Sequence, residues 1–347
     1  MAVTFTGTKL PQSELAEIQQ ELYQDSATFR EKWVDIQEGH KSGTQVYESK
    51  ATVTAKAATS GAVTADGTID LAAQRTAVSL TSIEFSDIID HSTLLDTRFE
   101  KSMKAGAFNR ISNEFDNAVL QQVTPAIGQS LEYLIWNGAT SATKTAIAAL
   151  TANAAQGSIS AGAKTLVAAM PTNLVDSLPA VILYNASQSK ATAGAGLGDY
   201  IKVPSISAIT SASIAGEYAK MYAIAPSKVV NNTTEMPCIY APLEHRQLIK
   251  IANNTVGAAQ QINFLVEGSG KNEKISYNGI EIKFVPLVGF MILTIPKYLK
   301  VLMDLTSDMS SLNVGEVANG AMQRYIKNIQ TLACWVTNQR YITLYGG

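Results

Sequence analysis

The sequence contains very few of the residues that usually carry catalysis. Among its 347 residues there are three histidines, His40, His91 and His245. They lie in unrelated contexts, and none has a second His, Cys or carboxylate at the spacing of metal ligands. We interpret each of them as a solvent-exposed or structurally bonded histidine. The sequence therefore predicts no catalytic, cofactor-binding or metal-binding residue.

Cysteine is equally scarce. Cys238 and Cys334 are far apart, and their spacing fits neither a metal site nor a redox motif. We interpret them as buried and reduced, as in a cytosolic protein. Asp304 and Asp308 are four residues apart and could share one helix face. The Leu, Thr and Ser between them offer too few oxygen ligands for a cation.

Long apolar runs are also missing. The longest uncharged apolar run, residues 284–296, is well short of the roughly 20 residues that a membrane span needs. It predicts buried β-structure. Residues 1–14 contain no apolar signal core, so we expect neither secretion nor a membrane partner.

Charged residues make up only 16% of the chain, against about a quarter in a typical soluble domain. A weakly charged surface is poorly protected against association, so we expect part of it to contact other subunits. The formal net charge is −2, and there is no run rich in Lys or Arg. This composition excludes a dedicated nucleic-acid-binding protein, which would carry a basic face.

Two glycine-rich stretches come close to nucleotide-binding motifs without matching them. Residues 268–271 read Gly-Ser-Gly-Lys, but Leu265 stands where a P-loop needs its first glycine and Asn272 where it needs Ser or Thr. Residues 194–198 read Gly-Ala-Gly-Leu-Gly, which is not the spacing of a dinucleotide motif. Both are interpreted as surface loops, and nothing in the sequence supports an enzyme.

The N-terminal half predicts three extended elements. Residues 9–40 have apolar positions three and four apart and indicate a helical arm. Residues 45–85 alternate Val and Ala with Thr, Ser and Lys on either side of Asp66-Gly67, which predicts a long β-hairpin. A long helical pattern follows over residues 92–136 and ends at an Asn-Gly stop. Residues 139–163 are rich in Ala, Thr, Ser and Gly and indicate a linker or surface loop.

The C-terminal half predicts a mixed α+β body. A helix over residues 163–170 leads into the apolar run 180–184. Short strands are expected at residues 222–225, 238–240, 247–252, 280–285 and 290–295, and a closing strand at 340–345.

The order of these segments resembles the Hong Kong 97-type capsid fold, an α+β fold. Three stretches carry the resemblance: Leu-Glu-Tyr-Leu-Ile-Trp-Asn-Gly at 131–138, Leu-Pro-Ala-Val-Ile-Leu-Tyr-Asn at 178–185, and the apolar pattern of 323–344. They are similar to the end of the family's spine region, to the helix-to-strand passage of its axial domain, and to its closing peripheral strands.

The resemblance implies a division of the chain into five parts. They are an N-terminal arm (1–44), an extended loop formed by the hairpin (45–85), a peripheral domain with the spine helix (86–154), an axial domain (155–315) and a return to the peripheral domain (316–347).

The resemblance also implies a function, the major capsid protein of a tailed bacteriophage. Such a subunit assembles with itself as pentamers and hexamers into an icosahedral head in the bacterial host cytoplasm. Its expected partners are portal, scaffold or decoration proteins and packaged double-stranded DNA, which it contacts non-specifically. No enzymatic activity and no cofactor are expected.

Three other functions remain open at the level of sequence. The same fold could form a nanocompartment shell of the encapsulin type around a cargo enzyme. Richness in Thr, Ala and Ser would also suit an adhesin or surface-layer protein, although no signal peptide is evident. The third alternative is an enzyme of unknown type.

Overall fold

The computed structural model describes most of the predicted body. The described residues are 27–40, 44–53, 69–90, 126–149, 161–188, 209–255, 264–268, 273–304, 313–316 and 323–346. The chain forms two compact units. The first comprises residues 1–41, 80–134 and 301–333, and the second comprises residues 42–79, 135–300 and 334–347.

The first unit is built on a five-stranded sheet around one long strand. Strands β1 (Asp35–Gln37), β10 (Leu299–Met303), β12 (Gln323–Val336) and β11 (Asn313–Glu316) follow one another in that order, and β4 (Thr81–Asp90) also pairs with β12. The β4–β12 pair is antiparallel over all ten residues of β4. Alternation along β12 buries Ile326 and Leu332 on one face, as the period of two in a strand requires.

The second unit contains a six-stranded sheet in the order β13-β9-β5-β8-β7-β6. Its strands are β5 (Cys238–Pro242), β6 (Phe264–Glu267), β7 (Lys274–Tyr277), β8 (Ile280–Val285), β9 (Phe290–Thr294) and β13 (Thr343–Gly346). Only the β5–β8 pair is parallel. Every residue of β5 and β9 is buried, as expected for central strands covered on both faces.

The connection from β8 to β9 crosses the end of β5, because β8 and β9 lie on opposite sides of that strand. Gly289 in this connection has a φ of +71°. A Cβ there would lie 2.6 Å from Cδ2 of Leu166. Glycine is therefore required both by the backbone conformation and by the close approach of Leu166.

Eight helices or helical segments are described. They are α1 (Ala27–Arg30), α2 (residues 126–136), α3 (Ser141–Ala148), α4 (Ala161–Ala169), α5 (Leu178–Gln188), α6 (Ile214–Ile224), α7 (Ser227–Val230) and α8 (Leu243–Thr255). In the second unit, α6 packs on α8, and α8 packs on β5 and β8.

Several predicted elements are confirmed. Strands lie at 238–242, 280–285 and 290–294, and α4 matches the helix predicted at 163–170. The run 284–296 is β-structure, and most of its residues are buried. Residues 323–344, which resemble the family's closing peripheral strands, contain β12 and the start of β13, but these two strands lie in different sheets. The strand predicted at 340–345 starts later, because residues 339–341 form a 3₁₀ turn.

Three predicted strands or strand-like runs are helices instead. Residues 222–225 fall at the end of α6, and residues 247–252 lie inside α8. In α8 the buried residues are His245, Ile249 and Ala252. Their helical spacing is visible over the whole of α8 but not within residues 247–252 alone. Residues 180–184 belong to α5, which is buried on nearly all sides and so shows no amphipathic pattern.

The predicted linker 139–163 contains a helix, α3. Thr140 caps it, since the hydroxyl of Thr140 accepts a hydrogen bond from the backbone N–H of Thr143 at 3.2 Å. The carboxylate of Asp176 accepts two further bonds at this end of the helix, from the Thr140 N–H and the Thr143 hydroxyl, both at 2.7 Å. These three hydrogen bonds stabilise the start of a helix in a run of small residues.

The predicted helical arm is wrong over its last part. Only α1 is helical within residues 27–40. Lys32 then adopts a φ of +50°, and the chain continues as β1. A left-handed residue ends a helix, and Ile36 follows it in β1. Residues 9–26 of the arm lie outside the described residues.

The hairpin and the long helix are observed in part. The hairpin strands are β2 (Thr44–Val53) and β3 (Ile69–Val78), so the hairpin ends at Val78, and residues 81–85 belong to β4 in another sheet. Its Asp66-Gly67 turn lies outside the described residues. The long helix is described only over α2, residues 126–136.

The predicted Asn-Gly stop at the end of α2 is confirmed. Gly138 has a φ of +116°, and the space beside its Cα is filled by Asn173. The Asn173 side chain donates a hydrogen bond to the carbonyl of Asn137 at 3.0 Å. The Ser177 hydroxyl donates to the Gly138 carbonyl at 2.6 Å. The turn after α2 is therefore held by the segment that leads into α5.

We expect Gly138→Ala to lower the free energy of unfolding by more than about 2 kcal/mol, because it combines a strained backbone with a clash. The added Cβ would lie 1.9 Å from Nδ2 of Asn173. Gly216 in α6 is the matched control, since a Cβ there meets nothing within 4 Å. Gly216→Ala should be neutral or stabilising by up to about 1 kcal/mol. Urea unfolding of both variants tests this, and equal stabilities would contradict it.

The core of the second unit contains one buried histidine. His245 is 5% exposed, and its Nδ1 lies 3.2 Å from the hydroxyl of Tyr218. Tyr218 also contacts the rings of Phe264 and Tyr277. Burial lowers the pKa of His245 from 6.5 to about 4. The ring is therefore neutral at pH 7, and its Nδ1 shares one hydrogen bond with the tyrosine hydroxyl.

This burial predicts a loss of stability in acid. The unfolded chain binds a proton at His245 below about pH 6.5, whereas the folded chain does so only near pH 4. The contribution is complete above pH 6.5 and is lost as the pH falls towards 4, by on the order of 1–3 kcal/mol. Unfolding measured across this range should show a smaller pH dependence in His245→Gln than in the parent. His40→Gln is the control and should keep the parental dependence; identical profiles for all three proteins would contradict the prediction.

Candidate assembly elements

The hairpin strands β2 and β3 form a ribbon that pairs with no other strand in the described part of the chain. Its antiparallel register runs from Thr44↔Val78 to Val53↔Ile69. Ten residues on each strand give a ribbon about 33 Å long. Both of its outer edges therefore present backbone N–H and C=O groups in the described structure.

The side chains of the ribbon differ between its two ends. Val46 and Val78 are buried near its base. Tyr47 is 69% exposed, and Val53, at the far end of the pairing, is 68% exposed. A two-stranded ribbon in water is marginally stable at best. The ribbon thus combines exposed apolar side chains with strand edges that pair with no other described strand.

A second exposed surface lies on the solvent face of the β4–β12 pair in the first unit. Ile88 is 56% exposed and lies opposite Tyr325, and Ile329 is 37% exposed and lies opposite Glu84. Lys327 forms an ion pair with Glu84 at 3.0 Å. The hydrogen bond from Lys327 is the main cause that lowers the pKa of the Glu84 carboxyl. This face combines exposed apolar groups with one ion pair, a composition found at interfaces.

The end of the arm is anchored within the first unit. The Thr28 hydroxyl donates to the carboxylate of Glu132 in α2 at 2.9 Å, and the backbone N–H of Ala27 donates to the same carboxylate at 3.3 Å. A carboxylate at the first turn of a helix such as α1 is favourably placed. Phe29 and Val34 are buried. Glu132 thus holds the first turn of α1.

Of the three histidines, His40 lies in the first unit and His245 in the second. The backbone N–H of His40 donates to the Met303 carbonyl at 3.2 Å, next to the β1–β10 pair. His245 is structurally bonded, as predicted, and His91 lies outside the described residues. Among the described residues, no group of three or more His, Cys, Asp or Glu could hold a metal ion.

The other candidate residues are also dispersed. Cys238 and Cys334 are both buried and free, as predicted, and burial raises the pKa of the Cys238 thiol to about 11. Asp304 follows β10, whereas Asp308 lies outside the described residues. Gly268 ends β6, and residues 269–272 and 194–198 are not described. In the described part, no helix is long and apolar enough to cross a membrane.

One buried carboxylate was missed by sequence reasoning. Glu217 is 5% exposed; it accepts a hydrogen bond from the Tyr345 hydroxyl at 2.5 Å and one from the Lys220 ammonium at 2.7 Å. Burial by itself would raise the pKa of the Glu217 carboxyl. The two hydrogen bonds outweigh burial, so the pKa is lowered. Glu217 therefore ties α6 to β13. The residues next to Glu217 in the sequence do not indicate this bond, because Tyr345 is 128 residues away.

No protein-family model and no curated protein matches the sequence. Three solved structures illustrate what the chain is similar to. A chain of the satellite phage P4 procapsid, a structure that includes the size determination (Sid) protein, has a TM-score of 0.50 at 10% identity and covers 98% of this chain and 93% of its own. A chain of the cyanophage A-1(L) capsid has a TM-score of 0.49 at 10% identity; the match covers 100% of this chain and 95% of the capsid chain. A chain of the capsid of Myoviridae phage XM1 has a TM-score of 0.49 at 11% identity; the match covers 92% of this chain and 91% of the capsid chain.

The fold assignment rests on the first of these structures, whose likeness extends over nearly the whole of both chains. At 10% identity the likeness shows a common fold rather than a common function. The predicted α+β fold of the Hong Kong 97 type is thereby confirmed.

Proposed function

We propose that this chain is the major capsid protein of a tailed bacteriophage. Copies of it form pentamers and hexamers, which close into an icosahedral head around double-stranded DNA. The observation that carries the proposal is the β2–β3 ribbon, which pairs with no other described strand and exposes Tyr47 and Val53. The likeness of the whole chain to a procapsid chain of satellite phage P4 supports it.

The five-part division of the family is proposed for this chain as well. Residues 1–44 are the N-terminal arm and 45–85 the extended loop. Residues 86–154 with 316–347 are the peripheral domain with its spine helix, and residues 155–315 are the axial domain. The six-stranded sheet supports the axial domain, since its strands β5 to β9 lie within residues 155–315. The bounds differ at three strands: β10 and β11 pair in the five-stranded sheet, and β13 pairs in the six-stranded sheet.

Assembly in this proposal is multivalent. Ordering the backbone costs roughly 1–2 kcal/mol per residue, and the sequence of the ribbon contains few large apolar side chains to offset that cost. A neighbouring copy supplies the missing surface, through edge pairing and through apolar contacts of the ribbon. Each contact is weak, but a subunit held by several neighbours is held firmly.

The proposed subunit performs no catalysis, and its location is the virion after assembly in the host cytoplasm. Portal, scaffold or decoration proteins are its further proposed partners. The packaged DNA is contacted non-specifically. A net charge of −2 is compatible with this role, because a low-charge interior does not hold DNA against the packaging motor.

We expect the purified chain to form closed or tubular particles, alone or with a phage scaffold. Electron microscopy and sedimentation at micromolar concentration test this. A monomer that persists under all of these conditions would contradict the proposal. The content of particles recovered from the native host separates a phage head, which holds DNA, from a nanocompartment shell, which holds a protein cargo.

Proline at Val53 should abolish assembly while the subunit stays folded. Proline removes one backbone donor from the ribbon and stiffens the strand, at a local cost of about 1 kcal/mol in the subunit. Val53 is 68% exposed, so little burial is lost. Circular dichroism should remain near that of the parent, and particles should be absent by microscopy.

Val53→Thr is the matched control, because threonine keeps the backbone N–H and a β-branched side chain. It should assemble like the parent. If Val53→Pro assembles equally well, or if it unfolds the subunit, the ribbon belongs to the core of one chain and this part of the proposal is wrong.

We also expect the particles to be non-covalent. Some members of the resembled family join a loop lysine to a peripheral asparagine; here Lys50 or Lys56 would have to reach Asn328 or Asn338. Asn328 is fully buried. The buried carboxylate of Glu217 has a lowered pKa, which makes it a poor proton acceptor for such a reaction.

A denaturing gel of mature particles should therefore show one band at 37.1 kDa. A ladder at multiples of that mass would show that the chain does cross-link.

A further inference from the structure

The turn between β7 and β8 consists of Asn278 and Gly279. Their φ angles are +48° and +79°, the left-handed pair that a two-residue hairpin turn of type I′ requires. Both residues are exposed, whereas Tyr277 and Ile280, which pair across the turn, are buried. The turn therefore projects into solvent from a firmly held base.

We propose that Asn278-Gly279 is a site of spontaneous deamidation in the folded protein. The backbone nitrogen of Gly279 attacks the side-chain amide carbon of Asn278. A C–N bond forms, the bond to the side-chain NH₂ breaks, and ammonia leaves with the proton of the Gly279 N–H. Water then opens the five-membered ring at one of its two carbonyl carbons, which yields aspartate or isoaspartate. No oxidant or reductant takes part, and water is the only co-reactant.

The structure meets the requirements of this reaction at Gly279. Glycine adds no side chain to hinder ring closure, and a Cβ built there meets nothing within 4 Å. Within the described structure, neither the Gly279 N–H nor the Asn278 side chain has a hydrogen-bond partner, so no bond must break first. Ring closure does require the turn to rotate, and the Tyr277↔Ile280 pair resists that motion. The reaction should therefore be slower in the folded chain than in the unfolded chain.

A second Asn-Gly dipeptide in the same unit provides an internal contrast. Asn137 is 2% exposed, and Asn173 fills the space beside Gly138. The Gly138 carbonyl accepts hydrogen bonds from both the backbone and the hydroxyl of Ser177. The same chemistry is thus blocked at Asn137 by packing and bonding. The third dipeptide, Asn319-Gly320, lies outside the described residues.

Deamidation would alter the turn that joins two inner strands of the six-stranded sheet. Either product adds a negative charge beside β8, which already carries Glu281. Isoaspartate also lengthens the backbone within the turn by one methylene. A two-residue turn with an extra backbone atom no longer matches the Tyr277↔Ile280 register, so the β7–β8 hairpin should loosen. The stability of this unit would then change as deamidated protein accumulates, without any enzyme.

The test is peptide mapping by mass spectrometry after incubation of the folded chain at mildly alkaline pH, which favours the deprotonated amide nitrogen. The peptide with Asn278 should gain the mass difference between NH₂ and OH, and the peptide with Asn137 should not. In the denatured chain both peptides should gain it. The peptide with Asn319 is scored separately.

Asn278→Gly is the matched variant, because Gly-Gly also forms this turn and has no amide to lose. It should fold, should lack the mass gain, and should keep its melting temperature on incubation while that of the parent falls. Folded protein that stays unmodified at Asn278 while the denatured chain reacts would overturn the proposal. Equal reaction at Asn278 and Asn137 in the folded chain would also overturn it, because general opening would then be the cause. Neither result depends on whether the chain forms a shell.

Discussion

A β-strand needs partners for its backbone groups and cover for its apolar face, and this constraint organises the whole chain. In the six-stranded sheet of the second unit it is met internally, since β5 and β9 are buried throughout and have a paired strand on each side. In the first unit β12 provides paired backbone for β4, β10 and β11. The β2–β3 ribbon pairs with no further strand in the described structure, and the proposed function is argued from that difference. Ordering such a segment costs conformational entropy, and its own side chains bury too little apolar surface to offset that cost. The segment becomes stable when a second molecule covers it.

Close approaches at two glycines hold the second unit together. Leu166 packs against Gly289 in the connection that crosses β5, and Asn173 packs against Gly138 after α2. In both places the backbone has a positive φ, so a larger residue would be strained as well as obstructed. These contacts fix the directions in which the chain leaves α2 and β8. The positions of α5 and β9 depend on them.

Buried polar side chains are hydrogen-bonded at some positions and not at others. In the second unit Tyr218 bonds to His245 and Glu217 to Tyr345, and these buried bonds link α6 to its neighbours. On β12 in the first unit, Gln330 is fully buried, and in the described structure neither atom of its amide has a hydrogen-bond partner. An unpaired buried amide costs about 1–3 kcal/mol. The first unit therefore carries a local cost at the strand that joins most of its sheet.

Composition, periodicity and segment order by themselves determined the fold class, the hairpin, the Asn-Gly stop after α2 and the strands at 238–242, 280–285 and 290–294. These features are local, since alternation, turn residues and breakers act within a few positions. The helices α5, α6 and α8 were decided by tertiary structure. Burial on several sides stabilises these apolar runs as helices, although the pattern over a few residues predicts strands. The Glu217–Tyr345 bond, the cover that Asn173 gives Gly138 and the separation of β4 from the hairpin join residues far apart in sequence. Only the folded chain brings such groups together, because no local pattern encodes a contact across tens of residues.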